Sequence, residues 1–262
     1  LIDALKDVPK ETRAETWYGA DENFSRKVGK KGWIGLNWPK EFGGAGRSSM
    51  ERYVILEEML TAGAPVGAHW ISDRQSGPLI IRYGTEKHQK ELLPGILRGE
   101  SYFCIGMSEP DSGSDLAAIR TKAEKNNNIY VVNGTKLWTS GAHRCQYMIA
   151  LFRTSQEDDR HAGFSQFIVD LSLPGITIRP IIDLAGRHHF NEVIFEDAKV
   201  PADMLIGEEG NGWNQVTAEL ALERSGPERY LSSYILLQEL VNEFSKRNDG
   251  EGVTEIGRQM AH

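Results

Sequence analysis

Cysteine is scarce in this chain, with two among 262 residues, Cys104 and Cys145. A disulfide framework needs more, so the chain reads as a reduced, intracellular protein of the cytoplasm, with both thiols acting as small buried apolar groups. Long apolar runs are missing too. No stretch approaches the about 20 residues of a membrane span, and Leu1-Ile2-Asp3-Ala4-Leu5-Lys6 lacks the pattern of a signal peptide. Nor is positive charge in excess: 30 Lys and Arg stand against 37 Asp and Glu, a formal net charge of −7. That balance argues against a nucleic-acid partner. It leaves room for an anionic small ligand held by a few local cations.

Two familiar ligand motifs are absent as well. Gly44-Ala45-Gly46-Arg47 lacks a third small position and follows Trp38-Pro39 rather than a strand, so it is no dinucleotide loop. His188 and His189 are adjacent, and on a regular strand they would face opposite sides. The other histidines have no ligand spacing, so no metal site is expected.

What is present is an ordinary globular composition, 40% apolar and 26% charged, long enough for one or two domains. Three textures follow one another. Residues 1–101 read mostly as helix. Ser48-Ser49-Met50-Glu51 offers an N-cap with a carboxylate in the first turn. A second helix is expected from about Ala64 to Tyr83, ended by Gly84, and a third from Glu86 to Leu97, capped by Thr85 and shortened or kinked at Pro94. Residues 102–208 read as short strands: Ile129–Val132, Tyr147–Phe152, Phe164–Val169, Ile176–Ile178 and Val193–Phe195. They are separated by turns such as Asn133-Gly134 and Leu173-Pro174-Gly175, with no long helices between them, which points to an antiparallel barrel or sandwich. Residues 209–262 return to helical spacing, with Trp213, Val216, Leu220, Leu231, Ile235, Leu236 and Leu240 as an apolar stripe. The expected fold class is α+β: an N-terminal helical domain, a middle antiparallel β-barrel and C-terminal helices forming an incomplete four-helix bundle.

Two segments stand out chemically. Gly106-Met107-Ser108-Glu109-Pro110-Asp111-Ser112-Gly113-Ser114-Asp115 follows a short apolar strand where helix gives way to sheet. Its small residues can bring backbone N–H groups and hydroxyls close to a ligand, although on composition alone it is an ordinary connection. In Lys136-Leu137-Trp138-Thr139-Ser140, Trp138 and Ser140 are two apart, so alternation puts an aromatic face and a hydroxyl on one side of a strand.

Gly106 through Ala118 resembles the signature of the acyl-CoA dehydrogenase family. Further family-like pieces follow in the same order: Gly32-Trp33-Ile34-Gly35-Leu36 with Trp38-Pro39-Lys40-Glu41-Phe42-Gly43-Gly44, Tyr83-Gly84-Thr85-Glu86-Lys87-His88, Asn191-Glu192-Val193-Ile194-Phe195, and Gly207-Glu208-Glu209-Gly210-Asn211-Gly212-Trp213. By that resemblance the cofactor is FAD. Ile105, Met107 and Ser108 would line one side of the flavin, Gly113 and Ser114 would lie near the cofactor and the acyl-CoA path, Trp138 would pack on the isoalloxazine, and the Ser140 hydroxyl would approach flavin N5. The resemblance also implies a base: some members use a Glu immediately before an Arg, and Glu223-Arg224 stands at that position, with Arg224 on the substrate side. Pro227 cannot donate to the carbonyl of Glu223, so the helix is expected to break there.

The implied activity is α,β-desaturation of an acyl-CoA, with electrons passed to an electron-transfer flavoprotein. A flavin-dependent monooxygenase and a non-catalytic partner subunit are the alternatives. A homo- or hetero-oligomer, dimer or tetramer, is expected. The family's Arg followed by Phe-Gly, which reaches a neighbouring subunit's FAD, does not occur between Ser225 and His262.

Overall fold

The computed structural model describes residues 1–223 and 226–246. The first part of the chain is helical: α1 (Ile2–Leu5), α2 (Lys10–Ala14), α3 (Glu22–Lys30), α4 (Ser49–Thr61), α5 (Gly67–Ile71), α6 (Gly77–Tyr83) and α7 (Glu86–Leu97). Ser48 caps α4 in a capping box: its hydroxyl accepts from Glu51 N–H, and its own N–H donates to the Glu51 carboxylate. Thr85 caps α7 in the same way, with His88 reaching back. That helix runs through Pro94 to Leu97, so the proline does not shorten it; a single proline removes one N–H, and buried Leu92, Leu93 and Ile96 hold the turns on either side. Between α5 and α6 one π-type turn, Ser72–Ser76, keeps the helix continuous from Gly67 to Tyr83.

Seven strands follow: β1 (Phe103–Gly106), β2 (Lys122–Asn126), β3 (Ile129–Ser140), β4 (Tyr147–Arg153), β5 (Phe164–Asp170), β6 (Ile176–Ile182) and β7 (His188–Pro201). They form one sheet in the order β1-β4-β2-β3-β7-β6, with β5 on the other side of β4. Four pairs are antiparallel, as expected, but β1 runs parallel to β4, and β2 meets the end of β4 in parallel at Lys122 and Arg153. The chain between β1 and β4 contains the β2–β3 hairpin, which is long enough for the crossover that a parallel pair requires. Cys104, Ala123, Tyr130, Val132, Met148, Phe152, Phe167, Val193 and Phe195 all belong to one buried cluster. The Phe152 ring of β4 lies 5.3 Å from the Phe195 ring of β7 although β2 and β3 stand between those strands, so the sheet curls upon itself.

The outer face of that sheet packs on the helices: Phe103, Ile149 and Ile168 join the helical core of Phe24, Trp38, Leu60, Ile80 and Leu93. This double burial explains why Tyr147–Phe152 is a continuous apolar run rather than an alternating one. A hydrogen bond of 2.9 Å from Phe103 N–H to Ser72 Oγ ties the start of β1 to the π-type turn. After the sheet come α8 (Gly212–Glu223), α9 (Glu228–Leu231) and α10 (Tyr234–Lys246). Pro227 stands as the N-cap of α9; the expected break after Glu223 falls on residues outside the described ones. Among the described residues no helix is long and apolar enough to cross a membrane.

Candidate functional site

A cleft of about 760 Å³ opens where the sheet meets the helices. One wall is the end of β1 and the loop after it; the facing wall is the end of β3. Ile105, Met107, Ser108, Gly113, Ser114, Trp138 and Ser140 all border this single cleft, so the structure brings the seven sequence-predicted flavin residues together. The rest of its lining includes Trp17, Tyr18 and Trp70 from the helical part, and Leu220 and Glu228 from beyond the sheet.

The two walls are joined directly. Leu137 N–H donates to Ser108 O at 2.8 Å, and that bond explains a break in the ladder. The β3–β7 register is interrupted between Lys136 and Thr139, a bulge in which Trp138 takes φ +60°. Past the bulge alternation holds, as the spacing suggests: Thr139 is buried between Trp138 and Ser140, and those two border the cleft. An aromatic residue with positive φ costs about 1–2 kcal/mol, and such strain gathers at ligand sites. The Trp138 side chain meets Phe190 edge-on, with ring centroids 6.0 Å apart, and the residue is 55% exposed.

The loop wall is held from behind by a charged pair. Lys136, 0% exposed, donates to Met107 O at 3.1 Å and to Glu109 Oε1 at 2.8 Å. Glu109 also accepts from the N–H groups of Arg120 and Thr121, at 2.6 and 3.0 Å. Burial pushes the Lys136 ammonium down to about 8, against the pull of Glu109. Burial alone would raise the Glu109 carboxyl, but the Lys136 charge and the N–H donors outweigh it and hold it below its ordinary value.

Past Ser140, an imidazole pair borders the cleft. His143 and His188 stack with centroids 3.8 Å apart, and both bond Asn191 Oδ1, at 3.2 and 2.7 Å. Asn191 Nδ2 donates to Thr139 O, so Oδ1 is the acceptor and both imidazoles donate to it. Burial first, and then the neighbouring His188, push His143 down to about 4. His188 and His189 both border the cleft, unlike the opposite facing a regular strand would give them. The register shift between Ile181 and Ile182, opposite the start of β7, accounts for that. Among the described residues no group of three or more His, Cys, Asp or Glu could hold a metal ion. Cys104 is buried, as expected, but Cys145 is only half-buried and borders the cleft; it lies in the turn between Ser140 and β4 rather than inside a strand.

At the helical end, Glu228 pairs with Arg74 at 2.5 Å, both almost fully buried, and the Arg74 guanidinium lies 5.0 Å from the Trp70 ring centroid. Sequence reasoning missed this pair and the role of Lys136. The second had a visible signal: a lysine at an inward position of a strand. The first had none, because its partners are separated by 154 residues. Glu223 is the last residue of α8, but its side chain, and the whole of Arg224, lie outside the described residues.

Comparison with known proteins gives the family. The model for the acyl-CoA dehydrogenase N-terminal domain matches residues 3–100, and that for the acyl-CoA dehydrogenase middle domain matches residues 104–198. Acyl-CoA dehydrogenase FadE29 of Mycobacterium tuberculosis is 39% identical over 234 residues, covering 88% of this chain and 59% of that protein. Among solved structures, the Tcur3481-Tcur3483 steroid ACAD is similar with a TM-score of 0.83 and 31% identity, over 95% of this chain and 65% of the other. The ChsE4-ChsE5 complex from Mycobacterium tuberculosis is similar with a TM-score of 0.78 and 34% identity, over 93% and 63%. The chain belongs to the acyl-CoA dehydrogenase family. It spans about three fifths of the length of these relatives.

Proposed function

We propose that the cleft holds the isoalloxazine of FAD and that the protein is an acyl-CoA dehydrogenase, desaturating an acyl-CoA thioester between its α and β carbons. The observation that carries this reading is the convergence of the Ile105–Ser114 segment and Trp138–Ser140 on one cleft, joined by the Leu137–Ser108 hydrogen bond. The fit is physical. Trp138 offers an exposed ring face, Ile105 and Met107 offer apolar surface, and the Ser108 N–H has no acceptor among the described residues. Bound FAD would supply the acceptor for the β-hydrogen and its electron pair. The chain's own task is to bind, orient and exchange the other proton. Ser108 N–H and the Ser140 hydroxyl would donate toward the flavin edge, where preorganised donors stabilise growing negative charge. Ser114 would border the thioester's path.

Glu223 is the proposed base for the α-proton, with Arg224 beside the substrate. Leu220 borders the cleft and lies three residues earlier in α8. A carboxylate taken out of water there has its pKa raised toward working pH, which suits proton abstraction. Electrons would then pass to an electron-transfer flavoprotein.

The test is anaerobic mixing of the FAD-loaded full-length protein with a panel of CoA thioesters. A thioester should bleach the visible flavin band, and Glu223→Gln should slow bleaching by about 10²-fold or more. Loaded protein that no thioester bleaches, or a Glu223→Gln variant that bleaches at full rate, overturns the reading.

A second reading concerns assembly. Two of the similar structures carry paired names, Tcur3481-Tcur3483 and ChsE4-ChsE5, the second described as a complex. On that ground we infer a subunit that works beside a sister chain. Light scattering of the protein purified alone and co-expressed with candidate sister chains tests this; a stable, active homo-oligomer that ignores them contradicts it.

A further inference from the structure

Among the described residues Lys136 is the one lysine buried to 0% exposure, and its ammonium reaches the backbone of the cleft wall rather than the cleft itself. Met107 O points inward to Lys136 Nζ, and Ser108 O is taken by Leu137 N–H. A trans peptide is planar, with its C=O and N–H on opposite sides, and no cis peptide bond occurs here. Fixing Met107 C=O toward the core therefore turns Ser108 N–H the other way, toward the cleft that Ser108 borders. That N–H has no acceptor among the described residues. We propose that Lys136, braced by Glu109, is a positioning residue that aims the Ser108 N–H at the electron-rich edge of the bound flavin and so sets both the affinity and the reduction potential of the cofactor.

This rests on the flavin reading of the cleft. The physical case against a merely structural role is economy of burial. A lysine inside an apolar strand face is costly unless paired; an apolar residue there would spare both charges. Glu109 is already served by two backbone N–H donors and needs no ammonium to stay satisfied. The ammonium supplies a counter-charge to Glu109 and a donor to Met107 O, and a methionine could supply neither. Burial disfavours the charged lysine, but the Glu109 carboxylate opposes that effect, and the group pushed down to about 8 still carries a proton at neutral pH. The bond to Met107 O is thus present under working conditions.

The test uses two variants of the full-length protein, Lys136→Met and the double variant Lys136→Met with Glu109→Gln. The first leaves Glu109 without its counter-charge and is expected to be less stable. The second removes the unpaired charge but sets an amide NH2 against one of the Arg120 and Thr121 N–H groups, so it is expected to regain part of that stability while still lacking the donor to Met107 O. Two quantities are read on each: the Kd for FAD by titration, and the potential of the bound flavin by equilibration with reference dyes. Both variants should bind oxidised FAD about two- to tenfold more weakly, the range for one hydrogen bond between neutral groups. Both should favour oxidised over reduced flavin about tenfold more, a shift of about −30 mV for a two-electron couple. A double variant that regains stability, affinity and potential together would show that Lys136 serves only the fold and would overturn the inference. So would a Lys136→Met protein with unchanged Kd and potential. Wild-type protein that takes up no FAD would instead sink the reading of the cleft, and the inference with it.

Discussion

Trp138 combines a left-handed backbone, φ +60°, with a ring that is largely out of the core, 55% exposed. Comparing Trp138→Ala with Trp138→Gly isolates the backbone, because both lose the same ring and the same contact with Phe190. A Cβ in the left-handed region costs about 1–2 kcal/mol. Glycine gives back part of that advantage through its freer unfolded chain, about 0.5–1 kcal/mol. The glycine variant should therefore be the more stable by about 0.5–1 kcal/mol, a melting temperature higher by about 1–4 °C for a chain of this size. In a regular extended strand the order would be reversed. Urea unfolding and calorimetry of the two proteins without cofactor decide the sign. A more stable alanine variant would refute the left-handed bulge, and with it the geometry that turns Trp138 toward the cleft. Both variants should lose FAD affinity alike, by about 10–100-fold if one aromatic stacking contact is removed.

Two further outcomes follow from the helical part. Gly77→Ala should destabilise the protein by about 1–3 kcal/mol, although alanine is usually the better helix former. A Cβ there would sit 2.0 Å from Cζ2 of Trp38, which is buried and bonds Asp73 O through its indole N–H; an unchanged urea midpoint would contradict that packing. His69 is buried against Ser25, and burial pushes its imidazole down to about 4 from 6.5. The unfolded chain then binds the proton more readily, so stability is full above about 6.5 and falls as pH drops toward 4, by about 2 kcal/mol at pH 5. His69→Gln should flatten that acid limb, and an unaltered pH profile of urea midpoints would show that other groups produce it.

Much of the fold was legible because the elements carry local signals. The caps of α4 and α7, the five apolar strand cores and the turn glycines are all encoded within a few residues of where they act. Strand β2 was missed because Lys122–Asn126 is almost wholly polar and exposed, so it has neither β-branched content nor alternation to betray it. The parallel run of β1 beside β4 was equally hidden, since pairing direction depends on the path between strands and not on their composition. At the site, the residues singled out from the sequence share one cleft. Spacing put Trp138 and Ser140 on one side of β3; the bulge beside them, with Leu137 bonded to Ser108 O, could not be read from it. The bulge at the start of β7, which brings His188 and His189 to the same cleft, is likewise a product of pairing. So is the Arg74–Glu228 pair, which exists only once the chain has folded.

The most direct measurement is a crystal structure of the full-length protein with FAD. The isoalloxazine is predicted to lie between Met107–Ser108 and Trp138–Ser140, within hydrogen-bond distance of Ser108 N–H. A flavin bound elsewhere, or one whose edge meets no donor from the loop after β1, would contradict the central claim.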